Sequence, residues 1–184
     1  MADIKKVTIT AMLISMGIIL PMLFHLIPQG LGGRVLLPMH IPVLIAGLIV
    51  GPFHGFFAGL ITPLLSSMVT GMPAAGVVAY RMMVELSVYG LVAGVVMRIV
   101  HTRRITVDLY ISMIIAMIAG RVAAGLVQAF IFFGDGGTFG VSLWITSYFS
   151  TSLPGIVLQL IFVPSIVIAL EWGRLIPQRY KKGE

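Results

Sequence analysis

Six long apolar stretches determine what this chain can fold into. They occupy residues 7–27, 35–51, 53–70, 74–100, 107–133 and 149–176. A helix needs about 20 apolar residues to cross the hydrocarbon core of a bilayer, where no water is available to bond an exposed backbone. The pattern therefore predicts an all-α polytopic membrane protein, with residues 1–184 forming a single domain of six transmembrane helices.

The composition supports the same prediction. Hydrophobic residues make up 59% of the chain and charged residues only 10%, whereas soluble domains carry about 25% charged residues. A soluble fold of this length would leave too much apolar surface in water, so the lipid bilayer is the expected environment. Cysteine is absent, which excludes a disulfide framework, a thiolate metal site and a cysteine nucleophile.

The net charge of +6 could indicate a nucleic-acid partner, but the positions of the basic residues argue against it. Nine of the twelve fall on the side of the membrane that six crossings assign to both termini: Lys5, Lys6, Arg98, Arg103, Arg104, Arg174, Arg179, Lys181 and Lys182. Cytoplasmic loops carry such an excess. We therefore expect both termini in the cytoplasm, and no nucleic-acid binding.

Two ionisable residues lie inside the fourth apolar stretch. Arg81 and Glu85 are four residues apart and so share one helical face. Ionisable side chains within a membrane segment are costly unless they meet a partner or water. They form either a binding wall, with Arg81 contacting a carboxylate or phosphate group, or an internal ion pair that holds the helix in place.

Arg121 lies near the middle of the fifth stretch, too deep for its side chain to reach the interface, so it should face the bundle interior. Glu85 is its expected partner. Together with Arg81 these residues leave one surplus positive charge, which favours an anionic substrate group, although a purely structural pair is the alternative.

The remaining candidate site residues are neutral or weakly basic. Gln128 and Gln159 can both donate and accept, as an amide or heterocyclic ligand requires, or they bond helix to helix. His40 follows Pro38 and precedes Pro42, where we expect irregular backbone over a cavity. Tyr89 and Trp144 could stack on a ring. The histidines do not assemble a zinc-like ligand set, so no metal, cofactor or catalytic residue is predicted.

Three segments resemble the substrate-binding S components of energy-coupling factor (ECF) transporters. Residues 10–17 resemble the small-xxx-small signature of the first helix, with Ser15 where many members have Ala. Residues 38–52 are similar to the second-helix region, and residues 85–90 to a part of helix four. The resemblance covers essentially the whole chain.

The resemblance implies the function. S components are six-helix membrane proteins of prokaryotes that bind a vitamin or a vitamin precursor. They associate with a transmembrane coupling subunit, here through Ala11 and Ser15, and with two cytoplasmic ATPases. This chain lacks the GxxxxGK[ST] phosphate loop, so its energy would come from those partners. A pantothenate-like carboxylate fits the arginine surplus, and a neutral heterocyclic vitamin remains open.

Two other classes of function are compatible with parts of the pattern. A self-sufficient secondary carrier or channel would also need buried polar residues along a path. A membrane-embedded enzyme could use Glu85 or His40 in acid–base chemistry, but the sequence offers neither a nucleophile–base pair nor a metal constellation. Transport by purified protein without ATPases would distinguish the carrier from a binding subunit.

Overall fold

The computed structural model describes residues 3–25, 36–134, 140, 144, 146, 152–176 and 179. The helices in this part of the chain are α1 (Asp3–His25), α2 (His40–Ile45), α3 (Pro52–Thr70), α4 (Val77–Ile99), α5 (Ile105–Gly134) and α6 (Leu153–Trp172). α2 continues as a π-helical turn, Ala46–Val50. No β-strand occurs among the described residues, and the predicted all-α bundle of six helices is confirmed.

Five of these helices are long and apolar enough to cross a membrane, namely α1, α3, α4, α5 and α6. The element that follows α1 is shorter and runs from His40 to Val50, a length of about 16 Å. Every residue from His40 to Leu48 is buried. α2 is thus surrounded by the other helices, whereas the sequence pattern predicted one stretch over residues 35–51.

The late start of α2 follows from its two prolines. Leu37 has a positive φ of 49°, and Pro38 and Met39 form a turn before the helix begins at His40. Pro42 lies in the first helical turn, where the backbone N–H that it lacks would have no intrahelical acceptor. Pro38 and Met39 are buried, so this irregular backbone is enclosed by protein, as membrane depth requires.

Glycine allows α3 and α4 to approach each other closely. A Cβ atom at Gly94 of α4 would lie 2.5 Å from the backbone nitrogen of Pro52, the first residue of α3. One turn earlier on α4, a Cβ atom at Gly90 would collide with the backbone of Gly55. Small residues at such spacing are the usual means by which membrane helices pack backbone to backbone, and they fix α4 firmly against α3.

The interior and the perimeter of the bundle differ in chemistry in the way a membrane protein requires. The core is apolar and includes Leu44, Tyr89, Met113 and Val163. Large apolar side chains also cover the outside, among them Met12, Met68, Leu126, Phe130 and Phe162. So continuous an apolar surface is unfavourable in water but is well solvated by lipid chains.

The helices define two ends of the bundle. We call the end that holds Ile99, Ile105 and Trp172 the terminal end, because Arg179 contacts it. The opposite end, which holds Val77, Gly134 and Leu153, is the distal end.

Candidate functional site

A ladder of polar side chains joins α4 to α5 in the distal half of the bundle. Nη1 of Arg81 donates to Oε1 of Gln128 at 3.0 Å, and Nε of Arg121 donates to the hydroxyl of Tyr89 at 2.9 Å. Arg81 and Tyr89 are eight residues apart on α4, and Arg121 and Gln128 are seven residues apart on α5. The two residues of each helix therefore lie on one helical face. The antiparallel helices therefore turn these polar faces toward each other.

Glu85 lies between the two rungs of this ladder. Its side chain is buried, with 6% of the residue exposed. Its backbone packs closely on α5, since a Cβ atom at Gly120 would be 2.9 Å from the carbonyl oxygen of Glu85. Further toward the distal end of α5, Gly125 lies against the indole of Trp144, because a Cβ atom there would be 2.5 Å from Nε1. Small residues of α5 thus allow both a close approach of α4 and the packing of an aromatic ring.

His40 brings α2 to the same place. Its Nε2 lies 3.7 Å from Oε1 of Glu85, and its ring meets the edge of the Tyr89 ring with centroids 5.2 Å apart. Only 1% of His40 is exposed. Among the residues that the structure describes, neither ring nitrogen has a hydrogen-bond partner. Both are therefore left for another polar group to satisfy.

The side chain of Gln159 on α6 also has buried polar atoms without hydrogen-bond partners among the described residues. It is completely buried, and neither its amide nitrogen nor its amide oxygen has a hydrogen-bond partner in the described part of the chain. α6 packs against α2 and α5, the helices that carry His40 and Arg121. Counted along their helices at about 1.5 Å per residue, Gln159 and Glu85 both lie about 20 Å from the terminal end. Gln159 is thus at the level of the ladder.

The structure brings together most of the residues that the sequence analysis selected. Four of them meet through direct contacts: His40, Glu85, Tyr89 and Arg121. Arg81 and Gln128 form a second pair between the same two helices, and Trp144 lies against Gly125 of α5. Gln159 joins them by its level and burial rather than by a direct contact.

The pairing within the cluster differs from the sequence hypothesis. Glu85 was the expected partner of Arg121, but Nε of the guanidinium donates to Tyr89, and the basic group nearest to Glu85 is the His40 ring, 3.7 Å away. Gly120, the neighbour of Arg121, packs against both the backbone of Glu85 and the ring of Tyr89, so the tyrosine hydroxyl is within reach of Arg121. The i+4 spacing of Glu85 and Tyr89 was the sequence signal for this partner.

The small residues of α1 lie on a different surface. Ala11 and Ser15 are exposed, on the outside of the bundle. The Ser15 hydroxyl donates to the carbonyl of Ala11 at 3.0 Å, so it is turned back onto the helix and leaves a low surface beside the exposed side chains of Met12 and Met16. This surface is open to another helix.

Within the described ranges, no group of three or more His, Asp or Glu residues converges in a way that could hold an ion. The cluster itself consists of two guanidinium groups, one carboxylate, one imidazole and two amides in the distal half of the bundle.

Comparison with known proteins identifies the family. The family model described as "ECF transporter, substrate-specific component" matches residues 5–167. A search of curated proteins found no match. The matched range contains α2 to α5 and the whole polar cluster, together with most of α1 and of α6. This chain therefore belongs to the family of substrate-specific (S) components of ECF transporters, which are multi-pass membrane proteins that bind the substrate of the transporter.

Proposed function

We propose that this S component captures a small water-soluble vitamin or vitamin precursor in the polar cluster between α2, α4, α5 and α6. The observation that supports this most directly is the placement of Arg81, Glu85, Arg121 and His40, from three helices, in the distal half of an apolar bundle. Ionisable groups at membrane depth are costly to bury and mark sites or pathways. A structural pair would need one acid and one base, and this cluster holds more.

The charge of the cluster favours an anionic substrate. Arg81 and Arg121 contribute two positive charges and Glu85 one negative charge, so one positive charge is left over. Arg81 is only half-buried and lies at the distal edge, where it can reach a ligand that enters from that end. A carboxylate, as in a pantothenate-like compound, is the group that a guanidinium binds best in two-point geometry.

The unmet hydrogen bonds of Gln159 and His40 add a second requirement. A buried polar atom without a partner costs about 1–3 kcal/mol, so a ligand that supplies the partner gains that amount. The amide of Gln159 offers both a donor and an acceptor. These atoms can bond to an amide or to a ring nitrogen of a ligand. A neutral heterocyclic vitamin is therefore the second candidate.

Uptake by this protein is driven, in our proposal, by separate subunits. A transmembrane coupling subunit docks on the α1 surface at Ala11 and Ser15, and two cytoplasmic ATPases supply the energy. The exposed position of both residues and their small size support this. The concentration of basic residues at the terminal end supports a cytoplasmic location of both termini in a prokaryotic inner membrane.

The experiment that tests capture works for a ligand of any identity. The full-length protein is purified in a mild detergent from cells grown in rich medium, denatured, and the released small molecules are identified by mass spectrometry. We expect close to one equivalent of a single vitamin-like compound. Release of no compound at all, with transport by the protein alone in liposomes, would favour a carrier or channel instead.

A further inference from the structure

A second polar cluster lies at the terminal end of the bundle, outside the proposed binding site. Nε of Arg179 lies 2.8 Å from Oδ2 of Asp108, which is completely buried at the start of α5. A guanidinium nitrogen of Arg179 also donates to the carbonyl of Val100, the residue that ends α4. Its backbone N–H donates to Oε1 of Glu171 near the end of α6, at 2.6 Å. One residue thus joins the ends of three helices.

The acceptor for Arg179 is held in place from the other side. Oδ1 of Asp108 accepts from the backbone N–H of Thr102 at 2.9 Å and from its hydroxyl at 2.7 Å. The two carboxylate oxygens are therefore used by different partners, one by the connection between α4 and α5 and one by Arg179. A buried carboxylate with charge-assisted bonds on both oxygens is a strong anchor.

Two of these residues, Arg179 and Glu171, also line a cavity of about 230 Å³ that is partly open to the outside. Its apolar wall comes from the terminal ends of several helices and includes Leu48, Met97, Ile105 and Val167. Ile176 and Arg179 complete the lining together with Glu171. A water molecule occupies about 30 Å³ in the liquid, so the cavity has room for several.

We propose that Arg179 is a latch that holds the terminal ends of α4, α5 and α6 together beside this cavity. While Arg179 is bound to Asp108, Val100 and Glu171, the helix ends stay together and Met97 in the cavity wall stays buried. When the latch opens, Arg179 moves away and the cavity widens into a cleft between those helices. The latch is independent of the ligand that the distal cluster binds.

The absence of cysteine from the chain provides a direct test. Met97→Cys places a thiol in the cavity wall, at a position that is 6% exposed. Its rate of reaction with N-ethylmaleimide is measured in full-length protein in nanodiscs, with and without Arg179→Ala. Because local opening governs the reaction of a buried group, we expect Arg179→Ala to raise the rate by about tenfold or more, and Arg179→Lys to raise it less.

Two controls separate the latch from a general loss of stability. Arg174→Ala removes an exposed arginine from the same region and should leave the rate unchanged. Ala79→Cys places a thiol at a buried position near the distal end of α4, and its rate should not respond to Arg179→Ala. An unchanged rate at Met97→Cys, or an equal increase at Ala79→Cys, would overturn the proposal. If Arg179→Ala does not fold, Thr102→Val, which removes one bond to Asp108, must raise the Met97→Cys rate or the latch is refuted.

Discussion

The hydroxyl of Tyr89 accepts a 2.9 Å hydrogen bond from Nε of Arg121 between α4 and α5. Tyr89 is completely buried and Arg121 is 2% exposed, so the bond is shielded from water and lipid. The tyrosine also contacts His40 with its ring. One side chain therefore orients both a guanidinium and an imidazole, and we assign Tyr89 a positioning role in the proposed site.

Tyr89→Phe tests this role. The ring and its contact with His40 remain, but Arg121 loses a hydrogen-bond acceptor in a buried place. We expect a loss of stability of about 1–3 kcal/mol, measured as a lower melting temperature of the purified protein in detergent, and weaker retention of the co-purified ligand. Weaker retention of the ligand at a temperature where both proteins are still folded would distinguish positioning from a general loss of stability.

The matched control is Tyr110→Phe. Tyr110 lies on α5 with 38% of its surface exposed, so removal of its hydroxyl should change neither the melting temperature nor ligand retention. Equal effects of the two substitutions would contradict a special role for the bond between Tyr89 and Arg121.

Arg81 is the residue that we expect a ligand to meet first. Arg81→Ala removes the positive charge at the distal edge and the bond to Gln128, while the half-buried position limits the structural cost. Charge-assisted bonds contribute about 1.5–3 kcal/mol, so we expect the affinity for the released compound to fall about tenfold to 150-fold. The measurement is isothermal titration of the ligand-free protein with the compound identified by mass spectrometry.

Arg104→Ala is the control for charge alone. Arg104 is exposed in the connection between α4 and α5, at the terminal end, and its loss changes the net charge by the same amount. Unchanged affinity in Arg81→Ala, or an equal decrease in Arg104→Ala, would show that the binding site lies elsewhere.

Gln159→Leu has opposite expected effects on the empty and the loaded protein. Without ligand, replacing an unsatisfied buried amide by an apolar side chain of similar size should raise stability by about 1–3 kcal/mol. With ligand, the protein should lose binding, because the donor and acceptor that satisfy the ligand are gone. Thermal melting of the empty protein and ligand retention on purification measure the two effects.

If Gln159 has only a structural role, the melting temperature and the ligand retention should change differently. Gln159→Leu would then stabilise the protein and leave ligand retention as it is. Ser165 of the same helix faces outward and donates to the carbonyl of Ile161, so Ser165→Ala is a control that should alter neither quantity.

The sequence was sufficient to predict most of the architecture for a simple physical reason. Long apolar runs must be helical in lipid, and their ends are marked by Gly, Pro and basic residues, so α3 to α6 could be located closely. α2 was harder, because the length of an apolar run does not show that a helix starts late after Pro38 and is enclosed by its neighbours. The enclosure of α2 depends on close packing at Gly55 and Gly90. The sequence does not show that these two glycines meet, because they lie on different helices.

The candidate site could be selected from the sequence but not assembled from it. The free-energy cost of placing a charged side chain in a membrane is enough to select Arg81, Glu85 and Arg121, since charged residues within apolar runs are rare. Their pairing depends on the register between α4 and α5, which no local pattern specifies. For the same reason the contact between Asp108 and Arg179 was not predicted: the residues are 71 positions apart, and each lies near a helix end, where charged residues are ordinary.

The α1 surface gives the last prediction. Ala11→Phe or Ser15→Phe places a large ring on an exposed surface that, in our proposal, a helix of the coupling subunit approaches closely. Because both positions lie outside the bundle, the fold and ligand retention should be unaffected, whereas co-purification with a co-expressed coupling module should fall severalfold. Val95→Phe adds a ring of the same size to an exposed position on α4 and should leave the association intact. Undisturbed association in both α1 variants would place the docking surface on another helix. Loss of both ligand retention and association would indicate a misfolded protein rather than a lost interface.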